Sequence, residues 1–239
     1  MMQRLRRFYL KEMFIPSFLG IFINPMYFLR NGIKKGVLLN SKYLNGRLLD
    51  FGCGNKPYME LIDVQEYIGL EIENDNSSQT DKNIEAYYDG KTIPFADNYF
   101  DSILSSEVFE HIFNLEQILM ELKRVLKPGG HILITVPFVW EEHSIPYDFA
   151  RYTSFGIKDL LERSGFSVVT AEKTTNYVET VFQMWGVYIY QSVFPKNKFI
   201  KAILTPFFIS PITITGIILS WMLPKNKNFY HNSIIVARK

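Results

Sequence analysis

Residues Leu48 to Tyr58 read LLDFGCGNKPY, an apolar strand that runs into one carboxylate, Asp50, and then into a tight glycine turn. A short apolar run of this kind suits a strand buried on both faces. Glycines at 52 and 54 let the backbone approach a ligand and aim N–H groups at an anion near a following helix. Seventeen residues after Gly54 comes Glu71, in YIGLEIE, at the predicted end of a second strand. A carboxylate there can accept from both hydroxyls of a ribose, as the acid does at this position in Rossmann-like sites. A dinucleotide-binding turn calls for a third glycine at 57, where this chain has Pro57.

From Arg47 onward short strand-like and helix-like segments alternate, the pattern of a parallel α/β sheet. The strands read as Arg47 to Phe51, Glu66 to Leu70, Ala86 to Tyr88, Phe100 to Ser105, His131 to Val136 and Phe166 to Ala171, with a last one at Ser233 to Ala237. Leu115, Ile118, Leu119, Leu122, Val125 and Leu126 recur at helical spacing, and Lys127-Pro128-Gly129-Gly130 reads as the stop signal. A second helix spans Ser154 to Arg163. The expected fold is a Rossmann-like seven-stranded, mostly parallel sheet whose last strand is antiparallel. Residues 46–175 and 230–239 make up that domain, 1–45 an apolar and basic helical segment, and 176–229 an apolar helical insertion before the last strand.

The net charge of +2 conceals an uneven distribution. Basic against acidic residues number 9 to 2 over 1–50, 6 to 18 over 51–150, and 11 to 4 over 151–239. Basic flanks suit nucleic acid or an anionic membrane, and the long uncharged apolar runs within them favour the membrane over nucleic acid. Ala202 to Leu223 is 22 residues without a charge, long enough by itself to span a bilayer. Pro206 and Pro211 are expected to break it, lysines stand on both sides, and the last strand must rejoin its sheet. The expectation is therefore broken helices, here and at Met13 to Leu29, lying on the inner face of the membrane of a cytoplasmic protein. Pro16 and Pro25 interrupt the first apolar run, which argues against a signal peptide. With Cys53 as the one cysteine, no intrachain disulfide and no multi-cysteine metal centre can form.

Taken in order, LLDFGCGNKPY, YIGLEIE, IPFADNYFDSILSSEVFEHI and LKRVLKPGGHILITVP resemble the class I S-adenosylmethionine-dependent methyltransferases of the broad small-molecule type. The Gly-Cys-Gly turn ending in Pro-Tyr looks like the subgroup often found among bacterial surface-polysaccharide genes. The resemblance implies S-adenosylmethionine as cofactor. It places Asp50, Gly52, Cys53 and Gly54 around the methionine part, Glu71 on the ribose, Asp89 near the adenine, and Ser106 and Glu107 on the far wall. Asn55, Lys56 and Pro57 depart from the more open loop of many relatives.

Methyl transfer from an activated sulfonium asks the protein chiefly to align the reactants, with acid–base help where the acceptor must lose a proton. The segment FVWEEHSIPYDFARYT, after the fifth strand, crowds Glu141, Glu142, His143, Asp148, Arg151 and Tyr152 at the sheet edge where ligands of such folds bind. His143 is the candidate base, oriented by Asp148 or Glu142, and His111 is a further candidate that could equally tie its helix to the loop. Glu142, Arg151 and Tyr152 are the candidate substrate contacts. No metal ligand set is expected, since these residues follow no ligand spacing. The leading reading is O-methylation of a small-molecule, glycan or lipid-linked acceptor near a membrane. A nicotinamide-dependent oxidoreductase and a non-catalytic cofactor-binding scaffold are the alternatives.

Overall fold

The computed structural model describes residues 2–73 and 84–239. Two compact units divide the chain: Gly36–Glu172 with Ser233–Lys239, and Met1–Lys35 with Lys173–Asn232.

The sheet consists of β1 (Arg47–Phe51), β2 (Glu66–Ile72), β3 (Ala86–Tyr88), β4 (Phe100–Ser106), β5 (Leu126–Pro137), β6 (Ser167–Lys173) and β7 (Asn232–Arg238), in the order β3-β2-β1-β4-β5-β7-β6. β1 pairs in parallel with β2 and β4, β2 with β3, and β4 with β5. The direction reverses at β7. Lys239 N–H donates to the Gly130 carbonyl and Gly129 N–H to that of Lys239, both at 3.0 Å, so the end of β7 meets the start of β5. Strand order switches between β1 and β4, which opens a crevice beyond their carboxyl ends. Leu49, Phe51, Leu70, Ile103, Ile132 and Ile134 form the sheet's buried core. α4 (Leu115–Val125) adds Ile118, Leu119 and Leu122 to that core, and α5 (Ser154–Arg163) adds Ile157 and Leu161.

One boundary differs from the sequence pattern. The helix stops at Val125, and Leu126 to Gly130 already belong to β5 rather than to a stop signal. This stretch presses against β4: a Cβ on Gly130 would stand 2.8 Å from the Asp101 carbonyl oxygen, and Lys127 Nζ meets Asp101 Oδ1 at 2.6 Å. Glycine permits the close approach, and the ladder with β7 takes up the backbone groups that a helix end would leave unpaired.

The second unit is helical, with α1 (Met2–Phe14), α2 (Gly20–Ile23), the first part of α3 (Tyr27–Asn40), α6 (Tyr177–Tyr188) and α7 (Lys198–Met222). The amino-terminal helices are broken as the prolines suggest, but α7 is not. It continues through Pro206 and Pro211 for 25 residues. An interior proline costs about 3 kcal/mol, and here the helix is held along one side by α6 and α2. At Gly216 a Cβ would lie 2.8 Å from Phe182 Cβ, a backbone approach of the kind that small residues allow between helices.

Polarity in this unit is inverted. α7 buries Thr205, Ser210, Thr213 and Ser220, while Phe199, Ile203, Phe207, Ile218 and Trp221 face outward, Phe199 81% and Trp221 84% exposed. α6 does likewise, with Thr180 and Gln183 buried and Trp185 and Tyr188 exposed. Inside, Gln183 donates to the Pro25 carbonyl at 2.7 Å and accepts from Phe28 N–H at 2.9 Å, and Asn176 donates to Ser220 Oγ at 2.7 Å.

Candidate active site

The turn after β1 begins with Gly52 at φ +71° and Gly54 at φ +47°. Gly52 has two reasons to be glycine, because a Cβ would also come within 2.5 Å of Val108 Cγ2, in the turn after β4. At Gly54 a Cβ would meet nothing within 4 Å, so the space beside that backbone is open. The N–H groups of this turn point elsewhere than the sequence suggested. Gly52 and Cys53 donate to the Leu70 carbonyl at 2.9 and 3.2 Å, and Gly54 donates to Glu71 Oε2 at 2.9 Å. The chain then enters a single 3-10 turn at Met59–Leu61 rather than a helix. A pyrophosphate would therefore find the Gly52, Cys53 and Gly54 N–H groups taken and no helix N-terminus after the turn, which counts against a nicotinamide dinucleotide.

Lys56, also left-handed at φ +49°, folds beneath the turn, and its Nζ reaches Glu85 Oε1 at 2.6 Å. Its stem and Cys53 Sγ both crowd Gly69, where a Cβ would lie 2.4 Å from Lys56 Cε and 2.7 Å from the sulfur. Lys56 thus acts as a strut beneath the turn. Cys53 is correspondingly turned away from the ligand side: it is buried, and burial pushes its thiol up to about 12.

Asp50 is buried, and its Oδ2 accepts from the Tyr67 hydroxyl at 2.7 Å. Burial raises its carboxyl from 3.8 to about 7, with the Tyr67 bond opposing the rise. Glu71, at the end of β2, faces the glycine turn, as a ribose-binding acid must. Asp89 Oδ1 accepts from the Lys91 and Thr92 amides at 2.9 and 2.7 Å, so this carboxylate shapes the turn after β3. On the far wall, Thr135 donates to Glu107 Oε1 at 2.7 Å and lies 2.9 Å from Ser106 Oγ. Glu107 is held at φ +58°, a left-handed conformation of the kind that gathers at functional sites.

The loop after β5 brings the acceptor-side candidates together. Asp148 and Arg151 form a two-point ion pair at 2.6 and 2.7 Å, which holds the Asp148 carboxyl far below its usual range. Asp148 Oδ2 accepts from His143 N–H at 2.9 Å and lies 3.3 Å from its Nδ1, so it does orient the ring. Arg151, expected at the substrate, spends all five N–H groups inside the loop, on Asp148 and the carbonyls of Trp140, Glu141 and Ala150. It is a clamp with no donor left for a ligand. Glu142 is exposed, and Tyr152 lines a hollow of about 430 Å³ with Phe113 and Leu160. His111 sits in the 3-10 turn Phe109–His111, ahead of α4 rather than in it, and its Nδ1 lies 2.6 Å from the Tyr147 carbonyl.

Sequence reasoning missed Glu110. Its carboxylate is fully buried, and neither oxygen has a hydrogen-bond partner. Burial, with Glu107 adding, holds the carboxyl well above its usual range. Beside it the His111 and His143 rings meet edge to face at 4.7 Å. The spacing Glu107-x-x-Glu110-His111 at the end of a strand was the available signal.

The family model described as a methyltransferase domain matches residues 49–134, the turn, β2 to β4, α4 and most of β5. That stretch is just over a third of the chain. Among curated relatives, tRNA (carboxymethyluridine(34)-5-O)-methyltransferase of Arabidopsis thaliana is 32% identical over 43% of this chain and 27% of its own length. The ubiquinone/menaquinone biosynthesis C-methyltransferase of Chromobacterium violaceum is 34% identical over 29% of each. The chain thus spans little more than a quarter of these relatives, and their names point to different acceptors. A solved S-adenosylmethionine-dependent methyltransferase from Archaeoglobus fulgidus superposes with a TM-score of 0.53, covering 98% of this chain and 99% of that one at 20% identity, a likeness of fold. The residues of the site fit S-adenosylmethionine, the cofactor expected from the sequence: a turn whose Gly52, Cys53 and Gly54 N–H groups are taken, open space at Gly54, an acid at the end of β2 and a second acid, Asp50, beneath the turn.

Two outcomes follow from this geometry. Glu71→Ala should weaken S-adenosylmethionine binding about 10- to 100-fold, the worth of charge-assisted hydrogen bonds to the ribose, and calorimetry on both proteins reads it directly. The raised Asp50 carboxyl gives a pH signature. The unfolded group ionises near 3.8 while the folded one keeps its proton to about 7, so its contribution to stability is full below 3.8 and is lost as pH rises towards 7. Urea unfolding between pH 4 and 8 should show Asp50→Asn gaining on the wild type over that window; parallel curves would contradict the assignment.

Proposed function

We propose that this chain is an S-adenosylmethionine-dependent methyltransferase that methylates an oxygen of a sugar or lipid-linked acceptor at the cytoplasmic surface of a membrane. The cofactor supplies an activated methyl group on sulfur. Glu71 holds the ribose and Gly54 leaves room for the ligand, while Asp50 offers a carboxylate to the positively charged methionine part. His143, its ring set by Asp148 and the Arg151 clamp, stands where an acceptor hydroxyl would give up its proton.

The observation that supports the membrane setting is the inverted polarity of α6 and α7. A helix in water turns large apolar side chains inward, whereas α7 turns hydroxyls and glycine inward and Phe199, Phe207 and Trp221 outward. Lys196, Lys198, Lys201, Lys225 and Lys227 flank it, suited to anionic headgroups. At about 37 Å, α7 is long enough to cross the hydrocarbon core by length and composition. Topology favours lying on the surface instead. β6 ends at Lys173, β7 starts at Asn232, and both belong to one sheet, so a single crossing would separate them. α6, with 12 residues, is too short for a return crossing.

The purified protein should pellet with vesicles containing anionic lipid, and Phe207→Glu with Trp221→Glu should abolish most of that binding. In the same preparation, methyl-labelled S-adenosylmethionine and cell-envelope extract should place label in a lipid-soluble product. If the full-length chain stays in the supernatant at every lipid concentration, α6 and α7 are a lid and the membrane reading falls. Label in a water-soluble product alone would remove the lipid-linked acceptor.

A further inference from the structure

Glu110, His111 and His143 present ligand atoms that all lie within 4.8 Å of one another, at the carboxyl edge of β4 and β5. The environment of each is that of a metal ligand. His111 Nδ1 faces the Tyr147 carbonyl at 2.6 Å, and a carbonyl only accepts, so the proton sits on Nδ1 and the Nε2 lone pair is left for a ligand. That Nε2 is 3.7 Å from Glu110 Oε1. His143 Nδ1 likewise faces acceptors, the Glu141 carbonyl at 3.2 Å and Asp148 Oδ2 at 3.3 Å. Arg151 Nη2, 3.4 Å from the same nitrogen, directs its protons to Glu141 and Asp148 at 2.8 and 2.7 Å. Both imidazoles are therefore fixed in the tautomer that a metal ion requires.

Glu110 supplies the independent observation. A fully buried carboxylate without a hydrogen-bond donor is costly, and such groups are normally paired or bound to metal. No lysine or arginine pairs with it among the described residues; the side chain at ion-pair distance is His111.

We infer that Glu110, His111 and His143 form a binding site for one divalent transition-metal ion, with two imidazole Nε2 atoms and one carboxylate as ligands and the remaining positions open. Two histidines and a glutamate suit zinc in a site that keeps an open position, and manganese or iron(II) accept similar donors. An open position would receive an oxygen of the acceptor, and a metal ion there lowers the pKa of a bound hydroxyl. With the ion bound, His143 Nε2 is a ligand and the ion takes the place of the base: the hydroxyl proton leaves to solvent, the oxygen forms a bond to the methyl carbon, and the sulfur–carbon bond breaks with its electron pair returning to sulfur. This use of the ion rests on the methyl-transfer reading, whereas the binding of the ion does not.

The test is metal binding by the full-length protein, prepared without a histidine tag and stripped with chelator. Zinc titrated in a calorimeter should bind at one ion per chain, and cobalt(II) should give the visible absorption of a low-coordinate nitrogen and oxygen site. His143→Ala and Glu110→Gln should each weaken zinc about 100-fold or more, with circular-dichroism melting verifying that they fold. Asp148→Asn, which loosens the orientation of His143 without removing a ligand, should weaken it about tenfold. Stoichiometric binding that survives in both His111→Ala and His143→Ala, or no binding to the wild type, would overturn the site. Tight zinc binding with no methyl transfer to any envelope fraction would leave it standing and count against the proposed activity alone.

Discussion

The crevice depends on the approach of two turns, one after β1 and one after β4, that meet through the bare backbone of Gly52. With Val108 filling the position where a Cβ would be, no other residue fits, and the left-handed φ demands glycine as well. Because the first turn is seated there, Gly52 and Cys53 can reach the Leu70 carbonyl and Gly54 can reach Glu71. Those bonds decide the kind of ligand the turn takes. The N–H groups of Gly52, Cys53 and Gly54 are already used, and beside them lie an open space and the acids Asp50 and Glu71.

The acceptor side is built by a different device. Arg151 gathers three carbonyls and Asp148 into one knot, and the knot sets the His143 ring against His111. A charged pair with every proton matched makes a stiff loop, so the two imidazoles are positioned before any ligand arrives. Glu110 does not join this arrangement of bonds. Burial without a hydrogen-bond partner holds its carboxyl well above the usual range, and a cation between the rings would favour the ionised form.

The two units divide charge and polarity between them. The sheet unit holds most of the acidic residues and buries aliphatic side chains in the usual sense. The helical unit is basic, and its α6 and α7 turn Trp185, Phe199, Phe207 and Trp221 outward while burying hydroxyls and amides. In water each exposed ring forfeits the gain of burial, and the apolar surrounding proposed for α6 and α7 would remove that cost.

Local pattern was enough for the sheet. β1, β3 and α5 have the bounds that their periodicity and punctuation indicate, because strand alternation, helical spacing and glycine turns act between near neighbours in the chain. The place of Glu71 beside the glycine turn was legible for the same reason, at a fixed distance from a turn that the sequence marks. What the sequence left undecided depends on distant partners. Lys127 to Gly130 extend β5 because β4 and β7 lie alongside, and α7 survives two prolines because α6 and α2 hold it. Cys53 turns inward because Gly69 leaves space, and Arg151 becomes a clamp because the loop closes upon it. Sequence alone determined which backbone turns where and which cofactor class can approach. Only the tertiary structure brought Glu110 and His111 beside His143, 32 residues beyond His111 in the chain, because side chains meet there through the register of β4 against β5 and no local rule encodes that distance.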